Sequence, residues 1–165
     1  MWLLRPSIFL LCFLLFPLSA FAQSAPARVI AVADGDTITV LTTTEQQIKI
    51  RLYGIDCPES KQAFGNRARQ ATSKAVAGKN VDILPIDEDR YGRTVALVFA
   101  DGESLNEILV RDGMAWVYTA YCKQEAICEP LKELEKTARA QRNGLWADKA
   151  PVPPWEWRKE SRKNR

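Results

Sequence analysis

Asp36, Arg51, Asp56, Glu59 and Arg93 are the residues of this 165-residue chain whose types and order suit phosphodiester hydrolysis. That reaction needs an activated water, a screened phosphate charge and a neutralised five-coordinate transition state. A hard cation held by carboxylates and waters serves the first two needs. Arginine serves the last two, because its planar fork matches phosphate oxygens at two points. The chain has no histidine. This excludes Ser-His-Asp hydrolases, two-histidine ribonucleases, histidine-metal nucleases and HExxH proteases. A general base must then be Asp, Glu, Lys, Tyr or metal-bound hydroxide. Singly, each residue is a weak signal. An Asp34-Gly35-Asp36 run is usually only a turn, and an arginine on a strand's polar face is usually solvated. Their order and strand context together carry more.

Those residues sit on elements readable from periodicity. Residues 28–32, 37–41 and 47–53 alternate with β-branched side chains and predict three strands. Asp34-Gly35-Asp36 makes the first turn, with Gly35 expected to supply positive φ. In the third strand Ile48, Ile50 and Leu52 share one face, while Lys49, Arg51 and Tyr53 share the other. Pro58 keeps Cys57 extended. A helix is expected over 66–77, strands over 80–85 and 93–99, and a charged turn over 87–92. Ser104 is the expected cap of a second helix, with Glu107 at the capping-box position. A third helix is expected over 129–142. The fold class is therefore α+β: a five-stranded OB-fold barrel with about three α-helices, an architecture common among nucleic-acid and saccharide binders. Fold alone does not give function.

The ends differ from the middle. Arg5 is the sole charge in residues 1–22, an apolar run fills 8–16, and Ala20-Phe21-Ala22 follows. This predicts a secretory signal cut before Gln23, placing the mature protein in a periplasm or outside the cell without stable membrane association. Loss of Arg5 lowers the formal charge from +3 to +2, too small a bias to identify a partner. Residues 23–147 form the expected domain. Residues 148–165 form a Pro- and Trp-containing tail, read as an extension laid on the surface. Arg158, Lys159, Arg162, Lys163 and Arg165 make that tail basic, fit either to touch phosphates or simply to be solvated. In an oxidising compartment Cys122 and Cys128 are expected to pair, leaving Cys57 free.

The blocks Asp34-Gly35-Asp36-Thr37, Ile50-Arg51-Leu52-Tyr53-Gly54-Ile55-Asp56-Cys57-Pro58-Glu59 and Asp89-Arg90-Tyr91-Gly92-Arg93 resemble those of the thermonuclease, or staphylococcal nuclease-like, family. The stretch 106–113 and the Gly144-Leu145-Trp146 ending resemble its later helices. The resemblance implies Ca2+ held by Asp36, Asp56 and the backbone carbonyl of Cys57, where many members carry Thr. It implies Glu59 as general base, a debated role, and Arg51 and Arg93 on the scissile phosphate. It implies Arg90 and Tyr91 on a neighbouring phosphate and, more distantly, Tyr121 beside a base. An oxygen-only donor set of this kind suits calcium rather than zinc. Tyr53, Tyr91, Arg90 and Tyr121 would serve an unpaired strand by stacking and screening, although the tyrosines also fit ordinary barrel packing. The expected activity is an exported, monomeric endonuclease on DNA and RNA that favours single strands and leaves 3′-phosphates. The competing readings are an inactive OB-type nucleic-acid-binding module and a disulfide-stapled structural domain; the latter would leave the five residues unexplained.

Overall fold

The structure, a computed structural model, describes residues 25–163. The predicted leader at 1–22 and the terminal Arg165 lie outside the described residues. Eight strands form: β1 (Ala25–Val32), β2 (Thr37–Thr42), β3 (Gln47–Leu52), β4 (Ile55–Asp56), β5 (Asn80–Glu88), β6 (Thr94–Ala100), β7 (Glu103–Ser104) and β8 (Trp116–Val117). Four α-helices accompany them: α1 (Gly65–Val76), α2 (Leu105–Arg111), α3 (Glu125–Ala140) and α4 (Pro154–Lys163), with a 3-10 helix at Gly144–Ala147.

Alternation builds the barrel. Val29, Ile38, Val40, Ile50, Leu52, Val81, Ile83, Ala96 and Val98 all point inward and are buried. Each fully buried large aliphatic contributes about 1.5–3 kcal/mol, so this interior dominates stability. The sheet runs β3-β2-β1-β5-β6-β7 with antiparallel neighbours, and a parallel β3–β6 pairing closes it. Closure leaves five long strands in a mixed barrel, as predicted. It also sets Arg51 opposite Val95, bringing the third and sixth strands side by side.

Three departures from the sequence reading bear on the site. First, two short strands that the periodicity did not mark pair beside the barrel: β4 with β8, with Asp56 opposite Trp116. Second, α3 begins at Glu125, one turn before the expected start at 129. Tyr53 Oη accepts hydrogen bonds from the main-chain N–H groups of Lys123 (2.8 Å) and Gln124 (2.9 Å), fixing that helix entry. Tyr53 is therefore a buried core residue, and the packing reading replaces the base-stacking one. Third, the tail is not merely an extended surface strap: it ends in α4. Pro154 occupies the first helical position, where its fixed φ is favourable and its missing N–H costs nothing. Trp155 stacks on Tyr118 with ring centroids 4.8 Å apart and planes 4° from parallel.

Cys122 and Cys128 are joined by a disulfide that staples the start of α3, and Cys57 is free and buried. One reactive thiol is expected in the unfolded, unreduced mature protein, counted with a thiol reagent; two or more would contradict the bridge.

Candidate active site

Asp36, Arg51, Asp56 and Glu59 converge where β2, β3 and β4 meet. Asp36 opens β2. Its own N–H donates to Asp34 Oδ1 (3.1 Å), which tightens the turn. The expected role of Gly35 is corrected here. Its φ is not positive; the residue is glycine for lack of space. A Cβ there would stand 2.6 Å from Cys57 Cβ and 2.8 Å from Ala68 Cβ. That close approach carries Asp36 against the β4 segment. Asp36 Oδ2 accepts the Cys57 N–H at 2.7 Å, and Oδ1 accepts the Thr37 hydroxyl at 3.2 Å.

Arg51 faces Thr37 across the β2–β3 ladder, which sets its guanidinium between the two aspartates. Nη1 is in ion-pair contact with Asp36 Oδ1, and Nη2 donates to Asp56 Oδ1 at 2.8 Å. Asp56 has 0% exposure and Asp36 6%. Two carboxylates this buried are costly unless countered, and Arg51 supplies part of the counter-charge.

Glu59 lies just beyond Pro58 and is held through its backbone. Gln62 Oε1 accepts the Glu59 N–H (3.2 Å), and the Gln62 N–H donates to the Glu59 carbonyl (2.8 Å). A Cβ on Gly65 would overlap that carbonyl, so α1 must start with glycine for the Glu59 turn to close. The Glu59 side chain, in contrast, is partly open, with 40% of its surface exposed.

The fifth predicted residue is held separately. Arg93 precedes β6, and strand alternation carried back from Val95 puts it on the same barrel face as Arg51. Its guanidinium pairs with Asp89 Oδ2 at 2.7 Å, and its N–H donates to Asp89 Oδ1 at 3.1 Å. Partial burial opposes the Asp89 charge. The main-chain and side-chain hydrogen bonds from Arg93, with the Tyr91 N–H, outweigh it and hold the carboxyl below its usual range. Arg90 and Arg93 both lie over the Tyr91 ring, at 5.1 and 5.7 Å, and Tyr91 is 72% exposed. Tyr121 is also exposed and leans on Tyr118 at 4.8 Å. Among the described residues no hydrogen bond or ion pair joins Arg93, Tyr91 or Tyr121 to Asp36, Asp56 or Glu59.

Burial pushes the Cys57 thiol well above its ordinary range; Arg51 opposes this, while Asp56 and Asp34 add to it. The thiol therefore stays neutral and out of reach, and what Cys57 offers the site is its main chain.

Arg158 was missed as a site residue. It reaches from α4 onto both oxygens of Asp56, with Nη1–Oδ1 at 3.1 Å and Nη2–Oδ2 at 2.7 Å, and onto Glu59 Oε1 at 2.8 Å. Burial opposes its charge, but hydrogen bonds and attraction from Asp56 and Glu59 outweigh that and hold it even more firmly protonated than an ordinary arginine. Gln62 was missed as well; besides holding Glu59, its Nε2 donates to the Val152 carbonyl at 2.6 Å and so anchors the tail. A proline followed by Trp-Glu-Trp-Arg was the available signal for α4.

The family model for staphylococcal nuclease homologues matches residues 49–148. The chain belongs to the staphylococcal nuclease family. An uncharacterized endonuclease of Escherichia coli O157:H7 is 44% identical over 132 residues, covering 79% of this chain and 83% of its own length. A micrococcal nuclease of Shigella flexneri is 42% identical over 144 residues, covering 82% and 81%. A staphylococcal-like nuclease of Arabidopsis thaliana is 43% identical over 117 residues, covering 71% of this chain but 35% of its own. A staphylococcal nuclease fold with these relatives makes the chain a nuclease, a hydrolase whose substrate is nucleic acid.

Gly35→Ala is expected to destabilise the protein by about 1–3 kcal/mol, the usual cost of overpacking, read from urea unfolding. A loss under about 0.5 kcal/mol would show that the Gly35–Cys57 approach is not tight.

Proposed function

We propose that the protein is an exported, calcium-dependent endonuclease that cleaves DNA and RNA, favours single or breathing strands and leaves 3′-phosphates. The observation that carries this reading is the meeting of Asp36, Arg51, Asp56 and Glu59 at one point of the barrel wall.

The donors fit a hard cation. Asp36 and Asp56 are bridged by one guanidinium, and every candidate donor is oxygen, the chemistry calcium takes. Among the described residues no three His, Cys, Asp or Glu side chains form a ready cage, so two carboxylates with a main-chain carbonyl and waters are the set proposed, the carbonyl being that of Cys57. Bound there, calcium would screen the phosphate and lower the pKa of an adjacent water.

The chain's own residues supply the rest. Glu59 is open enough to take a proton from the attacking water at its carboxylate. Arg51 and Arg93 contact the non-bridging phosphate oxygens and neutralise the charge that builds on them. Asp89 keeps the Arg93 fork aligned before substrate arrives. Arg90 and Tyr91, and less directly Tyr121, offer charge and ring faces to flanking nucleotides, which suits unpaired bases. The Cys122–Cys128 bridge accords with a secreted or periplasmic protein, and the barrel works as a monomer.

Denatured DNA incubated with the purified mature protein should be cut with calcium and spared with a chelator. Absence of cleavage by folded protein would sink the proposal. Glu59→Ala and Arg93→Ala should each slow cleavage by about 10²- to 10⁴-fold; near-wild-type rates in both would refute their roles. Mass spectrometry of the exported protein should give a chain starting at Gln23, and retention of residues 1–22 would contradict cleavage there.

A further inference from the structure

Arg158 holds the part of the site that a cation would use. Asp56 Oδ1 accepts from Arg51 and from Arg158, and Oδ2 accepts from Arg158, which also binds Glu59. Three of the carboxylate's roughly four acceptor sites are thus taken, two of them by Arg158. A cation coordinated by Asp56 through both oxygens competes with Arg158 for those lone pairs. It would also stand within a few ångströms of a guanidinium of like charge.

The element carrying Arg158 has few polar attachments to the rest of the protein. α4 is a ten-residue helix, Pro154–Lys163. Among the described residues, Arg158 makes every polar side-chain contact from α4 to the rest of the protein. The other attachments are apolar: buried Pro154, and Trp155 stacked on Tyr118 with its edge near Trp116 at 5.7 Å. Just upstream, Gln62 Nε2 donates to the Val152 carbonyl, a tether of the strap that is independent of α4. Gln62 also holds Glu59, which ties the strap to the same turn.

We infer that α4 is an autoinhibitory latch: Arg158 is an internal counter-ion of Asp56 and Glu59, and its docking and divalent-cation binding at Asp56 exclude each other. Cation binding then releases the helix and opens the carboxylates to substrate. A docked α4 lowers apparent cation affinity by the fraction of molecules that are open. By reciprocity, the cation weakens α4 docking by the same factor. This inference rests on the assignment of Asp36 and Asp56 as calcium ligands.

The test combines calorimetric calcium titration with two reports on α4 in the full mature chain. One is tryptophan emission, since Trp155 and Trp157 ride on the helix; the other is tryptic cleavage after Arg158, Lys159 and Arg162. Calcium should shift the emission of the wild-type protein and speed cleavage within α4 at least about fivefold. Arg158→Gln should bind calcium at least about tenfold more tightly, and its α4 should be cleaved rapidly with or without calcium. Calcium binding that leaves α4 as protected as before would overturn the latch while sparing the proposed function. So would an unchanged affinity in Arg158→Gln. Failure of both proteins to bind calcium would overturn the ligand assignment and the latch together.

Discussion

A carboxylate with no exposed surface, Asp56, is the constraint around which the molecule is arranged. An isolated buried carboxylate is strongly unfavourable, and removing one partner from a buried pair costs about 3–5 kcal/mol. A charged Asp56 therefore calls for positive charge beside it. In the structure two arginines from distant parts of the chain do this, Arg51 on the barrel and Arg158 on the last helix. Under the proposed function, the same requirement lets a cation stand where a guanidinium gives way.

The scaffold serves that point of charge from several directions. The β2–β3 ladder sets Arg51 beside Thr37 and hence beside Asp36. The β4–β8 pair fixes the Asp56 backbone. Gly35 allows the Asp36 turn to press on Cys57, whose N–H completes the carboxylate's coordination. Asn106, fully buried, donates to the Tyr53 carbonyl and accepts the Val98 N–H, tying α2 to the chain just before Asp56. These contacts thus lie behind the carboxylates, while the side chains of Glu59 and Tyr91 are exposed.

Much of this was legible in the sequence where the physics is local. β-branched alternation marked the five long strands, and Ser104 marked the start of α2, whose Glu107 N–H it caps. The ordered blocks around Asp36, Asp56 and Arg93 pointed to the family. What escaped was set by contacts between distant segments. β4 and β8 are two residues each, too short for any periodic signal. Gly35 looked like a residue for positive φ because its crowding against Cys57 and Ala68 exists only in the fold. Tyr53 shared a predicted polar face with Arg51, yet the turn after β3 buries it and gives its hydroxyl to α3. Arg158 belonged to a basic tail with no visible destination, and only the folded strap delivers it to Asp56.

A crystal structure grown with calcium tests the metal assignment most directly. The ion is expected about 2.3–2.6 Å from carboxylate oxygens of both Asp36 and Asp56, with the Cys57 carbonyl in its shell and Arg158 withdrawn from Asp56. Calcium bound elsewhere, with Arg158 still on both oxygens of Asp56, would contradict it.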